Sequence, residues 1–338
     1  MNRRAIFVFC LAAALCLACS SSSSGPAGPS FSQGHPPSET PPAHVTGGFS
    51  ITLPDLTLKP GEEQQPCWIF PFTLTGPSHV VGGGTLTTTQ GLHHGNITSR
   101  PKTGDGIRPC PMQSDTQIGG EALDVLAGGT VLFGSSTQFV GTEWQSFPPG
   151  MGYRVKDQGF EIVARMHYLN VTSQPLTLAP KYEWYTIDES TLTTELAPFA
   201  WELTNFSIPP HTQQTFAGSC NFPTGMHIVN VLPHMHKLGV EFDAAFMGGP
   251  LDGQKFLESP GYDPEKGVQQ QYDPAIDLSQ GNGMTMSCTW NNVTDQTVTE
   301  GVGNNEMCII FGYAYPPAQT FSATIGGPEA RQCAWIAQ

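Results

Sequence analysis

FEIVARMHYLNVTS, residues 160–173, alternates as a strand does. Phe160, Ile162, Ala164, Met166 and Tyr168 share one parity; Glu161, Val163, Arg165 and His167 share the other. Successive strand side chains point to opposite faces. The segment therefore predicts a strand with one apolar face and one mixed face, and His167 lies on the mixed face. A lone strand histidine is more often structural than a ligand, so this segment by itself gives His167 no role.

The remainder of the chain carries the same signature. Gly (38) and Pro (30) are abundant, and charged residues make up only 12% of the 338 residues. No long stretch has helical period. Short runs rich in Val, Thr, Phe and Tyr alternate with Gly, Pro, Asn and Asp clusters, which predicts an all-β sandwich or barrel. Residues 49–74 hold two strand-like runs around Pro60-Gly61, and residues 201–220 restart a strand–turn–strand pattern after a connection near 195. The length suits about two domains, expected at 48–195 and 196–338.

The N-terminus reads as an export signal. Arg3 and Arg4 precede an apolar run from Ala5 to Leu17, too short for a confident membrane span. The tetrapeptide at 16–19, Cys-Leu-Ala-Cys, resembles a bacterial lipobox. The expectation is a signal peptide over 1–18, lipidation at Cys19, and an outer-membrane lipoprotein on the periplasmic or cell-surface side. An ordinary signal peptide cleaved nearby is the alternative. The Ser/Pro/Gly-rich run over 19–47 reads as a flexible tether. A net charge of -14 argues against nucleic-acid partners. Outside the leader six cysteines remain: Cys67, Cys110, Cys220, Cys288, Cys308 and Cys333. An even number in an exported chain suggests three disulfides, their connectivity open at this level.

Three motifs bear on metal chemistry. His234 and His236 follow an apolar run (Ile228, Val229, Val231), so on a strand both imidazoles share a face and can grip one ion. Met235 between them should point the other way, into a core. His93 and His94 are adjacent, so one ion takes both only where the backbone bends; Gly91 and Gly95 flank them and would permit a bulge. Surface histidines would look the same. Met307 at a strand start is normally core, but a thioether near an HxH pair is a soft ligand that favours reduced copper. His227 precedes His234 by an odd number of residues and is expected to be structural.

Taken in order, GLHHGN (91–96), PPGMGYRV (148–155), RMHYLN (165–170), FSIPP (206–210), PHMHKLG (233–239), SCTWNN (287–292) and NNEMC (304–308) resemble the copper type II, ascorbate-dependent monooxygenases. The resemblance spans about Cys67 to Cys333. It implies two tandem antiparallel, jelly-roll-like β-sandwich domains, each with one copper, facing each other across a solvent-filled cleft. It assigns His93, His94 and His167 to an electron-transfer copper. His234, His236 and Met307 would hold the copper where oxygen binds and chemistry occurs. It pairs Cys67 with Cys110, Cys220 with Cys333, and Cys288 with Cys308. The implied activity is hydroxylation of a C–H bond in a small organic substrate, using O2 and an external reductant such as ascorbate. Zinc, redox-silent and rarely bound by Met, fits poorly.

Departures narrow the substrate. The peptide-amidating branch holds its substrate carboxylate with an Arg, an Asn and a Tyr; here those positions are Leu232, Ile309 and Phe311. None of these side chains can bond a carboxylate, which points to a less polar substrate. Arg165 stands where that branch has Gln. The competing readings are a non-catalytic copper-storage or delivery protein of the same fold, and a structural surface lipoprotein with incidental histidines.

Overall fold

A computed structural model describes residues 34–111, 124, 127–135, 140–221, 225–263, 269–301, 304–325 and the backbone of 334–337. The expected signal peptide, Cys19 and Cys333 lie outside the described residues.

The chain is all-β, in several mostly antiparallel sheets. In the first half, one six-stranded sheet runs in the order Val45–Thr52, Lys181–Ile187, Val80–Thr88, Met151–Arg154, Thr194–Glu195, with Gly141–Ser146 also on Val80–Thr88. A second six-stranded sheet runs Arg108–Pro109, Cys67–Pro71, Phe160–Leu169, Leu92–Pro101, Val131–Gly134, with Glu63–Gln64 added to Phe160–Leu169. Both sheets feed one apolar core: Phe49, Leu86, Tyr153 and Trp184 from the first, Phe70, Ile97, Phe133 and Ile162 from the second.

Sheet membership changes between Glu195 and Ala197. In the second half, six strands run Gln270–Asp277, His227–His234, Ile309–Tyr315, Ala197–Leu203, Ser322–Ile325, Ala334–Ala337. Four more run Thr212–Asn221, Gly283–Asn292, Gly239–Met247, Lys255–Pro260. Trp201, Ile228, Val231, Phe242, Met286 and Trp290 are buried in the core they share.

The strand over 160–169 forms as the alternation predicts, yet its mixed face is covered too. Glu161 accepts from Arg108 Nη2 (2.6 Å), Thr103 Oγ1 (2.9 Å) and Arg100 Nε (3.1 Å). Arg165 donates from Nη1 to Asp124 Oδ2 at 2.8 Å. Burying a charge is tolerated only with such partners. Arg165 is thus committed to an ion pair with Asp124, which lies outside the strands of that sheet.

The two halves meet on an aromatic seam. Tyr313 and Val229, from the second half, lie in the first half's core. The Tyr313 ring stacks 5.1 Å from Tyr153 and meets Phe147 edge-on at 5.0 Å. Its hydroxyl donates to Val131 O at 3.3 Å.

The chain ahead of the first strand is not free over its whole length. His35 exchanges two backbone hydrogen bonds with Gln271 (3.0 and 2.7 Å), and Pro42 packs against Gly82 and Gly83. An edge strand such as Gln270–Asp277 presents unpaired N–H and C=O groups, and an extended segment satisfies them. The expected tether over 19–47 is therefore docked in part of its C-terminal portion. Disulfides join Cys67 to Cys110 and Cys288 to Cys308. Cys220 is also disulfide-bonded.

Candidate metal centre

The first histidine set is built by a bulge. His94 pairs across the ladder with His167, while Leu92 pairs with Tyr168, so His93 is the extra residue. A bulge re-aims the side chains beside it. This lets adjacent histidines face one point, against the alternation of a regular strand. Gly91 takes φ +113°, which favours glycine. Gly95 serves a different end: a Cβ there would meet Met166 Cε at 2.5 Å and the Tyr182 hydroxyl at 2.7 Å.

The three rings close on each other. Centroids lie 5.2 Å apart for His93 and His94, 4.6 Å for His93 and His167, and 4.9 Å for His94 and His167. One ring nitrogen from each lies within 4.8 Å of the others, a spacing that could hold an ion. Burial pushes His93 down to about 3, aided by the neighbouring His167. Burial also holds His94 well below the ordinary histidine value and lowers His167, where Glu63 opposes the shift. Neutral imidazole is the ligating form. Glu63 Oε1 sits 2.7 Å from His167 Nε2, a contact that orients the ring and fixes its tautomer. Sequence reasoning missed Glu63, which reaches His167 only through strand pairing.

The second set lies at a strand end. His234 is the last residue of His227–His234, and His236 lies in the turn beyond it. His236 Nδ1 lies 2.8 Å from Asn305 O and donates to that carbonyl. Its Nε2 is left as a lone-pair donor, buried and without a hydrogen-bond partner. Such an orphan is costly unless something binds it.

Glu306, also unforeseen, holds this turn. Its carboxylate accepts from His236 N (2.9 Å), Leu238 N (2.8 Å) and Trp290 Nε1 (2.9 Å). Burial pushes Glu306 up to about 7 against those three donors. Met307 follows, buried, and the Cys288–Cys308 bridge ties the next residue to the neighbouring sheet. Ile309 pairs with His234, so residues 305–309 run beside the HxH turn. Met235 is fully buried in the core, as expected. His227 stacks on Tyr315 at 4.7 Å, remote in role from the cluster.

The two sets are not separated by a cleft. The His94 ring lies 5.3 Å from His234 and 6.1 Å from His236. The expected solvent-filled gap between the histidine sets is replaced by ring contact, because the aromatic seam draws the two sheets together. Five imidazoles, with the buried Met307 on the segment that runs beside the HxH turn, are residue types suited to copper. Beside them, Leu232 pairs with Phe311. The Phe311 ring lies 6.1 Å from His234. Leu232 and Ile309 are buried, leaving the surroundings of His234 apolar.

Residues 200–327 match the family described as copper type II ascorbate-dependent monooxygenase, C-terminal domain. The chain therefore carries a domain of that family, the one its motifs resemble. No curated protein matches the chain. Among solved structures, it is similar to the major capsid protein P2 from bacteriophage PM2. That match has 11% identity, 86% of this chain and 98% of that chain, and a TM-score of 0.29. The infectious bursal disease virus Gx strain matches at 10% identity over 84% and 77%, TM-score 0.18. The VP2 subviral particle of that virus matches at 12% over 82% and 74%, TM-score 0.18. At these TM-scores the likeness carries no argument.

Proposed function

We propose that the chain is an exported dicopper monooxygenase. It hydroxylates a C–H bond of a small organic substrate with O2 and an external one-electron reductant such as ascorbate. One oxygen atom enters the C–H bond. The other leaves as water, with two protons and two electrons from the reductant. Residues 48–195 and 196–338 act as tandem jelly-roll-like sandwiches, and a lipid on Cys19, exposed by removal of the signal peptide over 1–18, anchors the protein at the bacterial outer membrane. His93, His94 and His167 hold the electron-transfer copper; His234, His236 and Met307 hold the oxygen-binding copper. Bound copper supplies the one-electron redox chemistry that side chains lack.

The observation that carries this reading is the buried, unpartnered Nε2 of His236. It lies in a cluster of neutral imidazoles, within the stretch that matches a copper monooxygenase domain. The chain's own residues orient and enclose the site. Asn305 fixes the His236 tautomer, Glu306 fixes the turn, and the Cys288–Cys308 bridge pins Met307 in place. Leu232, Ile309 and Phe311 exclude water and offer no donor to a carboxylate, so the substrate is of low polarity and lacks a carboxylate anchor.

The purified chain is expected to bind two copper ions and to consume O2 with ascorbate and substrate, giving a product that carries one atom of labelled O2. Met307→Ile should abolish turnover while the three-histidine copper stays bound. Two bound copper ions with no uptake across a broad substrate panel would favour storage or delivery. A chain that binds no copper would sink both readings.

A further inference from the structure

The two histidines of the HxH pair sit where a strand stops. His234 is the last residue of its strand, and Met235 and His236 lie beyond it. On one edge the ladder runs to the end, with His234 opposite Ile309. On the other edge the described pairing stops sooner, at Val231 opposite Gln270. Past that point the backbone has no strand to bond on that side, yet buried backbone groups must still find partners.

Tyr262 supplies them. Its hydroxyl accepts from Met235 N at 3.0 Å and donates to Pro233 O at 3.3 Å. Those two groups flank His234 and, in a strand, point the same way. A neighbouring strand would bond both from one residue. The phenol stands in for that missing residue.

Tyr262 is itself held on the far side of the turn. Its N donates to Val240 O at 2.8 Å, and Val240 belongs to the strand Gly239–Met247 that follows. Its ring is buried in the second half's core, 6.5 Å from Phe242. Glu306 takes the next amides, His236 N and Leu238 N. The stretch that carries both imidazoles, their centroids 5.2 Å apart, is therefore bonded from its start to its end. Nothing local in the sequence around Tyr262 announces this; it comes from a loop beyond Lys255–Pro260.

We propose that Tyr262 is a positioning residue for the copper-binding pair His234 and His236, its hydroxyl holding the backbone around His234 in the shape that lets both rings address one ion. This rests on the ligand assignment above and goes beyond it, since Tyr262 acts through the backbone and touches no metal.

The test is Cu(I) titration of the purified full chain against a competing chelator, comparing Tyr262→Phe with the wild type. His167→Ala and His236→Ala assign each affinity to its set. Phe keeps the ring in the core and removes the hydroxyl. Tyr262→Phe should weaken copper at His234 and His236 by about ten- to a hundredfold and leave the three-histidine set unchanged. A lowered unfolding midpoint with both affinities intact would mean a role in folding alone and would overturn the positioning role, as would an equal loss at both sets. A wild type that binds copper only at the three histidines, or binds none, would overturn the ligand assignment and the positioning role with it, so the two failures are distinct. Should Tyr262→Phe fail to fold, hydrogen exchange in the copper-free wild type decides. The Met235 amide should exchange slowly, and exchange at the rate of an exposed loop amide would overturn the clamp.

Discussion

Glu306 is the residue on which the HxH turn depends. A buried carboxylate that accepts three N–H bonds cannot be replaced by an amide without turning one acceptor into a donor. Glu306→Gln should cost about 1–3 kcal/mol of stability, read as a lowered unfolding midpoint. It should also weaken copper at His234 and His236 more than at the three-histidine set, as metal titration would show. Unchanged affinity at both positions would deny Glu306 its positioning role. The histidines set the pH response of the copper-free chain. Five have folded values below their ordinary 6.5. Above 6.5 neither state protonates them, and the contribution is nil. Below 6.5 the unfolded chain gains protons that the folded chain refuses, so stability falls as pH falls toward the folded values, by roughly 1.4 kcal/mol per pH unit for each ring that stays neutral. Glu306, raised from 4.5 to about 7, acts oppositely: its contribution is present below 4.5 and lost as pH rises to about 7. Five groups outweigh one. Denaturation of the copper-free chain between pH 7 and 5 should show declining stability, and a rise would contradict the neutral-imidazole cluster.

At the scale of elements, the bulge at His93 turns a strand into half a site. It was legible in the sequence because its chemistry is local: two histidines between two glycines can converge only if the ladder slips by one residue. The two glycines nevertheless do different work. Gly91 supplies an uncommon φ, while Gly95 admits Met166 and Tyr182. Gly95→Ala should therefore overpack the sheet, costing roughly 1–3 kcal/mol, and push His94 off its partners. The measurable outcome is a lower unfolding midpoint together with weaker copper binding; tight binding with full stability would mean the neighbours yield freely. Glu63 was not legible. It reaches His167 through the pairing of Leu169 with Glu63, and nothing local to either residue announces that pairing. The docking of His35 on Gln271 was hidden for another reason. A Pro- and Gly-rich segment has the composition of a tether whether or not a sheet edge is waiting for it.

At the scale of the molecule, the all-β class was readable from alternation, but the closeness of the histidines was not. It depends on Tyr313, which in the sequence is one apolar residue in an ordinary strand. In the structure Tyr313 faces out of its own sheet and into the other half's core. The same strand, Ile309–Tyr315, carries Tyr313 into that seam and pairs Ile309 with His234, whose ring lies 5.3 Å from His94. Tyr313→Phe keeps the ring and loses the hydroxyl that donates to Val131 O and meets Gln145 and Tyr153, so it should cost about 0.5–1.5 kcal/mol for each net hydrogen bond lost. Tyr313→Ala removes the ring and should cost about 3–5 kcal/mol. If the seam closes over the imidazoles, Tyr313→Ala should also open His94 to solvent while each half stays folded. Diethyl pyrocarbonate labelling of the copper-free chain, read by mass spectrometry, separates the cases. His94 should label slowly in the wild type and in Tyr313→Phe, and faster in Tyr313→Ala, while exposed His211 labels at one rate in all three. Fast labelling of His94 in the wild type would mean that the halves part in solution and that the seam does not enclose the imidazoles.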